Sequence, residues 1–393
     1  MSKVRFCVIG LGNMGSAHSR WIAEDKGRDV ALGAVCDVVE AKAKKFGEEL
    51  GVPYYTDARE MYDAGEIDAV IVAVPHYLHA PLAIRAARKR IHVLCEKPLE
   101  SRVSRARAMI AECRKRKVAF GAMLQQRTRP SMIKMKRMID QGKIGKVFRV
   151  QMICSNWFRT QAYYDSGSWR GTWDGEGGGV LINQAPHSLD LFQWIGLGLP
   201  RSVQALVSTR DHRIEVEDTA NVLCDYGDGR VGYIYATTAE EPGMEQLMVC
   251  GERGTLIAER NGLRWGRLKQ PIGRHIRGSR SAMGGAAGEQ ATTWTDVKVP
   301  QGKSGHIHVI RAFAAHLLRG KPMVATAAEA INELELSNAA YIAGYTGKAV
   351  SLPVKDVEID RLIARLERER STGKGQGLRK AADRDFRRLM SGK

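Results

Sequence analysis

A glycine-rich turn near the amino terminus constrains the fold more than any other feature of this chain. The candidate ligand contacts in this turn are Gly10, Gly12, Asn13, Met14 and Gly15. The turn directly follows an apolar, β-branched run, Lys3 to Ile9, and precedes an amphipathic stretch, Ser16 to Ala23. Glycines permit a tight turn and a close backbone approach, and the amino terminus of a helix favours a pyrophosphate. The order of strand, glycine turn and helix therefore predicts a dinucleotide-binding unit.

An aspartate lies where such a unit contacts the ribose of its ligand. The predicted second strand, Val30 to Cys36, ends in Asp37, about 20 residues past the glycines. A carboxylate there accepts hydrogen bonds from the 2′-hydroxyl and repels a 2′-phosphate. Val38 and Val39 add no cation beside it. NAD is therefore the expected cofactor and NADP the less favoured one, the alternative being that Asp37 is only a strand-end turn residue.

Strands and helices continue to alternate through the first third of the chain. The further predicted strands are Ile67 to Val74, Ile91 to Cys95 and Ala119 to Met123. The predicted helices between them are Ala41 to Leu50, Pro81 to Arg90 and Val103 to Lys117. This alternation is typical of a doubly wound parallel sheet, the Rossmann arrangement, and we place that domain at residues 1–125.

Two short segments follow predicted strands at the sheet edge where such folds bind ligands. Val74, Pro75, His76 and His79 come after one strand and are interpreted as cofactor-loop residues, the histidines alternatively as caps. Glu96, Lys97 and Pro98 come after the next. Lys97 is expected to point into the crevice, with Glu96 and Lys97 both near the cofactor; the alternative is a solvated surface turn.

A second glycine-rich segment, GGGVLINQAPHSLD from Gly177 to Asp190, carries the clearest acid-base candidate. Asn183, His187 and Asp190 are spaced by four and three residues, so on one helix they would share a face. Histidine titrates near neutrality and is well suited to take a proton from a hydroxyl. His187 is therefore the candidate base, the alternative being a satisfied interior histidine.

An aromatic stretch between the two glycine segments is a candidate carbohydrate site. Aromatic faces with interspersed hydrogen-bond donors suit a sugar ring, although a hydrophobic plug between domains explains the same composition. The candidate substrate contacts are Trp157, Tyr163, Tyr164 and Trp173, with Gln126 further upstream.

The second half of the chain predicts a different architecture, which we place at residues 126–355. Strand-like runs follow one another without intervening helices at Val147 to Ser155, Val203 to Thr209, Thr219 to Tyr226, Arg230 to Thr238, Glu245 to Cys250, Thr255 to Glu259 and Gly262 to Trp265. Such runs predict a large, mostly antiparallel sheet with helices on one face and the other face open. Leu268 to Gln290 reads as a long loop, and residues 356–393 as a charged helix followed by a basic, partly disordered segment.

Composition narrows the classes further. A length of 393 residues favours two domains. The formal charge of +18 permits an anionic partner, but eleven of the basic residues lie in the tail from Arg361 to Lys393, and no nucleic-acid motif accompanies them, so nucleic-acid binding is not expected. The seven scattered cysteines predict a reduced, cytoplasmic protein without a metal site. No secretory leader or membrane span is expected either.

These motifs together resemble the glucose-fructose oxidoreductase, inositol dehydrogenase and MocA family. The resemblance rests on the Gly10 to Gly15 turn, the Glu96-Lys97-Pro98 triplet, and the glycine run followed by Asn183, His187 and Asp190. It extends to the Gly251 to Thr255 turn and to Phe313 through Pro353, and so covers nearly everything to about residue 355. It implies that Lys97 and His187 face each other across the nicotinamide and that Trp169 and Arg170 lie beside it. It also implies a homodimer or homotetramer built on the open sheet face.

The resemblance implies three readings of the function. The first is an NAD-dependent dehydrogenase that oxidises a ring hydroxyl of a sugar, cyclitol or glycoside, with Lys97 and His187 as the acid-base pair. The second is an enzyme whose tightly bound cofactor cycles, giving hydride exchange or a redox-assisted elimination. The third is an NAD-binding regulator without catalysis. Much of the family has an aspartate where this chain has Asn183, and an amide cannot stabilise an imidazolium as a carboxylate would.

Overall fold

The amino-terminal unit is built on a six-stranded parallel sheet. The computed structural model describes residues 3–25, 27, 29–260, 262–282, 292–302, 304–374 and 378–391. The strands are Val4–Ile9 (β1), Val30–Cys36 (β2), Tyr54–Tyr55 (β3), Ala69–Val72 (β4), His92–Cys95 (β5) and Phe120–Ala122 (β6). Their spatial order is β3-β2-β1-β4-β5-β6, so the order reverses between β1 and β4. The crevice above that reversal is where open parallel sheets bind ligands.

Helices cover both faces of this sheet. They are Asn13–Ala23 (α1), Glu40–Leu50 (α2), Ala58–Asp63 (α3), His79–Arg88 (α4) and Val103–Arg116 (α5). Successive residues of β1 point to opposite faces: Phe6 packs in the cluster that contains Ile22 of α1, and Cys7 in the cluster that contains Ile84 of α4. All four residues of β4 are buried, as expected for a strand covered on both sides. The predicted Rossmann sheet is confirmed.

The second unit is a nine-stranded sheet with helices on one face. Its strands are Val147–Cys154 (β7), Ser202–Ser208 (β8), Thr219–Gly227 (β9), Arg230–Thr237 (β10), Glu245–Gly251 (β11), Gly254–Glu259 (β12), Gly262–Leu268 (β13), Thr292–Asp296 (β14) and Val350–Ser351 (β15). Their order is β14-β13-β12-β11-β7-β10-β9-β8-β15. Among the described strands of this second sheet, only β7 and β10 pair in parallel, so the predicted mostly antiparallel sheet is confirmed.

The remaining helices cover this sheet or join the two units. They are Pro130–Asp140 (α6), Gln161–Asp165 (α7), Val180–Asn183 (α8), Pro186–Ile195 (α9), Ile272–Gly278 (α10), His306–Arg319 (α11), Ala327–Thr346 (α12), Asp356–Glu369 (α13) and Leu378–Ser391 (α14). The α12 helix lies across β8 and against α9. The α11 helix instead packs on β1, β2 and α1, where Phe313 joins the core of the amino-terminal sheet. Among the described residues, no helix is long and apolar enough to cross a membrane.

The structure differs from the sequence predictions in three places. The segment from Leu268 is not a continuous loop, because α10 forms within it; residues 283–290 of that prediction lie outside the described residues. Asn183 and His187 do not share one helix, because Pro186 starts α9 after α8 has ended. The tail carries a second helix, α14, which packs on α4, so the prediction of disorder is wrong for residues 378–391.

Charged contacts hold α14 against the first domain. Arg85 pairs with Asp385, and Arg105 pairs with Asp383, so the acids of α14 face arginines of the first domain. The Arg379 side chain is buried, and its Nη2 donates to Ser101 Oγ at 2.8 Å. The periodicity of the sequence indicates an amphipathic helix here but does not show that it packs on α4.

Candidate active site

The glycine turn has the geometry that a dinucleotide requires. Gly10 has a φ of +86°, and a Cβ there would lie 2.4 Å from the carbonyl oxygen of Ala73. A Cβ at Gly15 would lie 1.7 Å from the carbonyl oxygen of Gly10. At Gly12, in contrast, an added Cβ meets no atom within 4 Å. A side chain at position 10 or 15 would therefore clash with the backbone. At Gly12 the space beside the backbone at the start of α1 is free, as the close approach of a pyrophosphate requires.

Asp37 ties the glycine turn to the end of β2. Its Oδ2 accepts a hydrogen bond from the Leu11 backbone nitrogen at 2.8 Å, and its Oδ1 accepts one from Val39 nitrogen at 2.9 Å. Remaining lone pairs on both oxygens suit ribose hydroxyls. A cation also lies close to this carboxylate: Lys42 Nζ is 3.8 Å from Asp37 Oδ2. The sequence analysis considered only Val38 and Val39, and Lys42 follows them by about one helical turn.

Replacing Gly12 with Ala is expected to weaken NAD binding about tenfold or more without unfolding the protein, because the new methyl group occupies cofactor space only. Titration of NAD by calorimetry measures the change. The matched control is Gly262→Ala in β13, where an added Cβ also meets nothing within 4 Å. Equal NAD affinity in wild type and Gly12→Ala would contradict the placement of the pyrophosphate.

Lys97 joins the two units at the end of β5. Its Nζ donates to the Asn183 backbone oxygen at 2.8 Å, across the crevice. Its backbone nitrogen donates to Glu96 Oε2 at 3.1 Å, while Glu96 Oε1 lies 2.6 Å from His18 Nε2 on α1. Burial lowers the pKa of Lys97, and the neighbouring carboxyls, first among them Glu96, oppose that shift. The lysine is therefore a partly buried cation held between the α1 helix, which follows the glycine turn, and the second glycine segment.

His187 lies near this lysine and stays neutral. Burial, followed by the charge of Lys97, lowers the pKa of His187 to about 3. Its Nε2 lies 3.0 Å from Nε2 of the Gln125 amide. Neither His187 Nδ1 nor Gln125 Oε1 has another protein partner. The orientation of the Gln125 amide therefore decides whether His187 Nε2 accepts a hydrogen bond or donates one.

Asp190 does not support His187, contrary to the shared helical face that its spacing suggests. Arg127 Nε and Nη2 donate to the two Asp190 oxygens at 2.8 and 2.7 Å. Both side chains are about 1% exposed. Asp190 therefore ties α9 to Arg127. The side chain that contacts His187 is Gln125.

Asn183 contacts a carboxyl that the sequence analysis missed, Glu176. The Asn183 Nδ2 donates to Glu176 Oε1 and also to the Tyr163 hydroxyl at 3.1 Å. Burial raises the pKa of Glu176 to about 7. An acid directly before three glycines is the only sequence signal, and it does not reveal that the side chain turns inward.

An aromatic and cationic wall lines the same side of the site. The Arg159 and Arg170 guanidinium carbons lie 4.6 and 4.4 Å from the Tyr163 ring centroid. Arg170 also lies 4.5 Å from the Trp169 ring, whose centroid is 5.7 Å from that of His76. His76 donates from Nδ1 to the Glu176 backbone oxygen at 3.0 Å, which brings the predicted cofactor loop to this wall.

Some predicted contacts lie elsewhere. Trp173 is fully buried against Tyr341, the Tyr164 hydroxyl is bonded to Thr238 inside the protein, and His79 faces the backbone oxygens of Val74, Pro98 and Leu99. None of these three side chains has free surface, so their contacts lend no support to the substrate role predicted for Trp173 and Tyr164 or to the cofactor role predicted for His79, which stay predictions. Gln126 does not contact His187; its Oε1 accepts from Arg129 at 3.4 Å. Trp157 remains 37% exposed at the wall's outer end.

Placement of the other predicted cofactor residues agrees with the glycine turn. Val74 lies against Gly10, because a Cβ on Gly10 would come within 2.7 Å of its side chain. Pro75 starts the turn that carries His76. Asn13 and Met14 form the first turn of α1 beside Gly15. These residues border one crevice, with Lys97 and Asn183 at its far side.

Known proteins are similar to this chain in sequence and in fold. Myo-inositol 2-dehydrogenase of Thermotoga maritima is 26% identical over 265 residues, which are 65% of this chain and 75% of that protein. The 2,7-anhydro-N-acetylneuraminate hydratase of Mediterraneibacter gnavus is 26% identical over 260 residues, or 65% of this chain and 67% of that protein. The crystal structure of the WlbA dehydrogenase from Chromobacterium violaceum in complex with NADH and UDP-GlcNAcA has a TM-score of 0.77 and 27% identity, covering 90% of this chain and 97% of that one.

Two family models match consecutive parts of the chain. Residues 4–123 match the oxidoreductase family with an NAD-binding Rossmann fold, which confirms the predicted cofactor. Residues 132–257 match the GFO/IDH/MocA C-terminal domain. Together these matches span more than half of the sequence, and the predicted resemblance is confirmed. The chain belongs to the GFO/IDH/MocA family of NAD-binding oxidoreductases.

Proposed function

We propose that this enzyme is an NAD-dependent dehydrogenase that oxidises a ring secondary hydroxyl of a sugar, cyclitol or glycoside. The observation that carries the proposal is the partly buried Lys97 amine, which donates to the Asn183 carbonyl and lies close enough to His187 to lower the pKa of that histidine. The pair lies on the far side of the crevice from the glycine turn. Membership in an oxidoreductase family favours this enzyme over a non-catalytic regulator.

Lys97 and His187 have different roles in the proposed reaction. Bound NAD supplies the hydride acceptor. The Lys97 ammonium donates a hydrogen bond to the hydroxyl oxygen of the substrate and stabilises the negative charge that develops there. Neutral His187 accepts the hydroxyl proton, so that the carbon loses a hydride, the oxygen loses a proton and a ketone remains. The Asn183 carbonyl and the Glu96 carboxylate keep Lys97 in place.

The substrate class rests on the wall and on the relatives. Trp157, Tyr163 and Trp169 offer aromatic faces, and Arg159 and Arg170 offer donors between them. Such a surface suits the C–H faces and hydroxyls of a sugar ring. The inositol and UDP-GlcNAcA in the names of two relatives are ring compounds of this kind.

A substrate screen tests the proposal. Purified enzyme is incubated with sugars, cyclitols and glycosides, with NAD and NADP in parallel, and reduced cofactor is followed by absorbance. We expect formation of NADH with at least one ring alcohol and a preference for NAD, because Asp37 repels a 2′-phosphate. Absence of turnover across the panel, with NAD binding intact, would count against the dehydrogenase.

A second candidate is a tightly held cofactor that cycles between its two redox states. The M. gnavus relative supports it, since its name is that of a hydratase although it matches this oxidoreductase chain. This candidate predicts that the protein is purified with nucleotide bound and turns over without added NAD. Nucleotide-free protein that depends on added NAD excludes it.

The open face of the nine-stranded sheet is the surface we propose for a homodimer or homotetramer. It exposes Leu206, Leu223 and Val231 on neighbouring strands, and Leu206 is 76% exposed. Exposed apolar residues grouped on one surface are typical of interfaces. A monomer by light scattering would contradict this assembly. The lack of nucleic-acid binding and the cytoplasmic location stay predictions.

A further inference from the structure

We propose that the Glu176 carboxyl takes the place of the aspartate that much of this family carries at the position of Asn183, acting through Asn183 to position and charge-balance Lys97. The proposal rests on the proposed dehydrogenase function and adds a positioning residue to it. It explains how a chain with an amide at this point keeps a carboxylate next to the catalytic lysine.

Hydrogen bonds join Glu176 to both sides of the crevice. Its Oε1 accepts from Asn183 Nδ2, and the Asn183 backbone oxygen accepts from Lys97 Nζ at 2.8 Å. Its Oε2 accepts from the Gly171 backbone nitrogen at 2.6 Å. Its backbone oxygen accepts from His76 Nδ1 at 3.0 Å. Glu176 is fully buried, so these contacts fix its carboxyl in one orientation.

The surroundings keep this carboxyl poised between its two protonation states. Burial raises its pKa to about 7, while the Gly171 amide, Arg170, Asn183 and Lys97 work in the opposite direction. The other titratable groups that face it are Tyr163 and Tyr164 of α7 and His76 of the cofactor loop. None of these is a carboxylic acid, so Glu176 is the carboxyl of this group.

Lys97 interacts with two further carboxyls, whose pKa values are shifted in opposite directions. Contact with His18 holds the pKa of Glu96 down at about 2 despite burial. Burial raises the pKa of Glu333 well above its usual value. His187, with a pKa of about 3, does not titrate in this range either. Glu176, with a pKa of about 7, is therefore a group near Lys97 whose ionisation would alter the lysine between about pH 6 and about pH 8.5.

The consequence concerns the rate of alcohol oxidation. Ionised Glu176 stabilises the Lys97 ammonium, whose hydrogen bond lowers the energy of the developing alkoxide. Protonated Glu176 gives no such support. We therefore expect kcat/KM to rise with pH through a transition near neutrality in the wild-type enzyme.

The first variant is Glu176→Gln, which keeps the size and one of the two accepting oxygens but removes the charge. We expect a loss of about tenfold in kcat/KM at about pH 8.5, little loss at about pH 6, and no transition between them. The infrared difference spectrum of cofactor-free protein between these pH values should also lose one carboxylic-acid band. A loss equal at every pH, or a retained transition, would overturn the proposal.

The second variant restores a carboxylate where relatives have one. Glu176→Gln combined with Asn183→Asp should regain most of the lost rate and a pH transition, because the new acid lies beside Lys97. Failure of this rescue in a folded protein that binds NAD normally would overturn the charge-balancing role.

A matched control is Glu217→Gln. Glu217 is also fully buried with a pKa raised by burial to about 7, but its oxygens accept from Gly179, Leu181 and Tyr341, not from Asn183. The pH transition should persist in this variant. If Lys97→Met leaves turnover intact, the dehydrogenase mechanism itself fails; if Lys97→Met abolishes turnover while Glu176→Gln keeps the transition, only the role of Glu176 fails.

Discussion

Replacing Lys97 with Met is expected to slow NADH formation by roughly two or more orders of magnitude, as the loss of a positioned acid-base group usually does. Methionine fills similar space but removes both the charge and the hydrogen-bond donor. The developing alkoxide then lacks its stabilising cation in a buried site, where water cannot replace it. Steady-state kinetics with the best substrate of the screen measures the loss.

Two controls separate catalysis from folding and cofactor binding. Lys115→Met makes the same change on the exposed surface of α5 and should leave kcat unchanged. The NAD affinity of Lys97→Met, measured by calorimetry, should stay close to that of wild type if the pyrophosphate is held by the glycine turn. Near-normal turnover of Lys97→Met would reject the role assigned to the lysine.

Local sequence patterns predicted the parts of the fold that depend on local physics. The strand Lys3 to Ile9 and the turn Gly10 to Gly15 were predictable because a buried parallel strand is continuously apolar and a tight turn needs glycine. The observed β1, Val4–Ile9, differs by one residue. In contrast, Tyr54–Tyr55 is too short to produce a periodic signal, and β3 was missed.

The parts of the site that depend on tertiary contacts were not predictable. Gln125 and Gln126 are neighbours of the same type, and only the path of the chain decides that Gln125 meets His187. Glu176 becomes functional only through contacts with Gly171 and Asn183, which burial creates. Trp173 shows the opposite case: an aromatic residue in a candidate sugar site whose indole donates to the Glu215 backbone oxygen in the core.

Spacing along the sequence was misleading where a long-range partner competes. Asp190 was expected beside His187 because three residues separate them. Arg127, which is distant in the sequence, instead donates hydrogen bonds to both carboxylate oxygens of Asp190. The pair thus supports the helix that carries the base rather than the base itself, and its removal should affect stability before chemistry.

Replacing Arg127 with Met is therefore expected to destabilise the protein by about 3–5 kcal/mol, since it leaves Asp190 as an unpaired buried carboxylate. Glu329 adds to the penalty, because its charge raises the pKa of Asp190 in the same direction as burial, and Glu329 itself lies 3.7 Å from Arg127 Nη1. The midpoint of thermal unfolding should fall by about 5 °C or more.

The pH dependence of this loss follows from the sign of the Asp190 shift. Burial already raises the pKa of Asp190 in the wild type against the opposing effect of Arg127, and loss of the arginine raises it further. A carboxyl whose folded pKa lies above its unfolded value loses stability as pH rises through that interval. The loss of stability in Arg127→Met should thus be smaller at about pH 5 than at about pH 8.

A double variant tests the same explanation. Adding Asp190→Leu should recover much of the lost stability, because removing both charges eliminates the unpaired ion. A deficit that is independent of pH and unrepaired in the double variant would show that Arg127 acts through packing on Trp194, which lies 5.0 Å from its guanidinium carbon, and not through its charge.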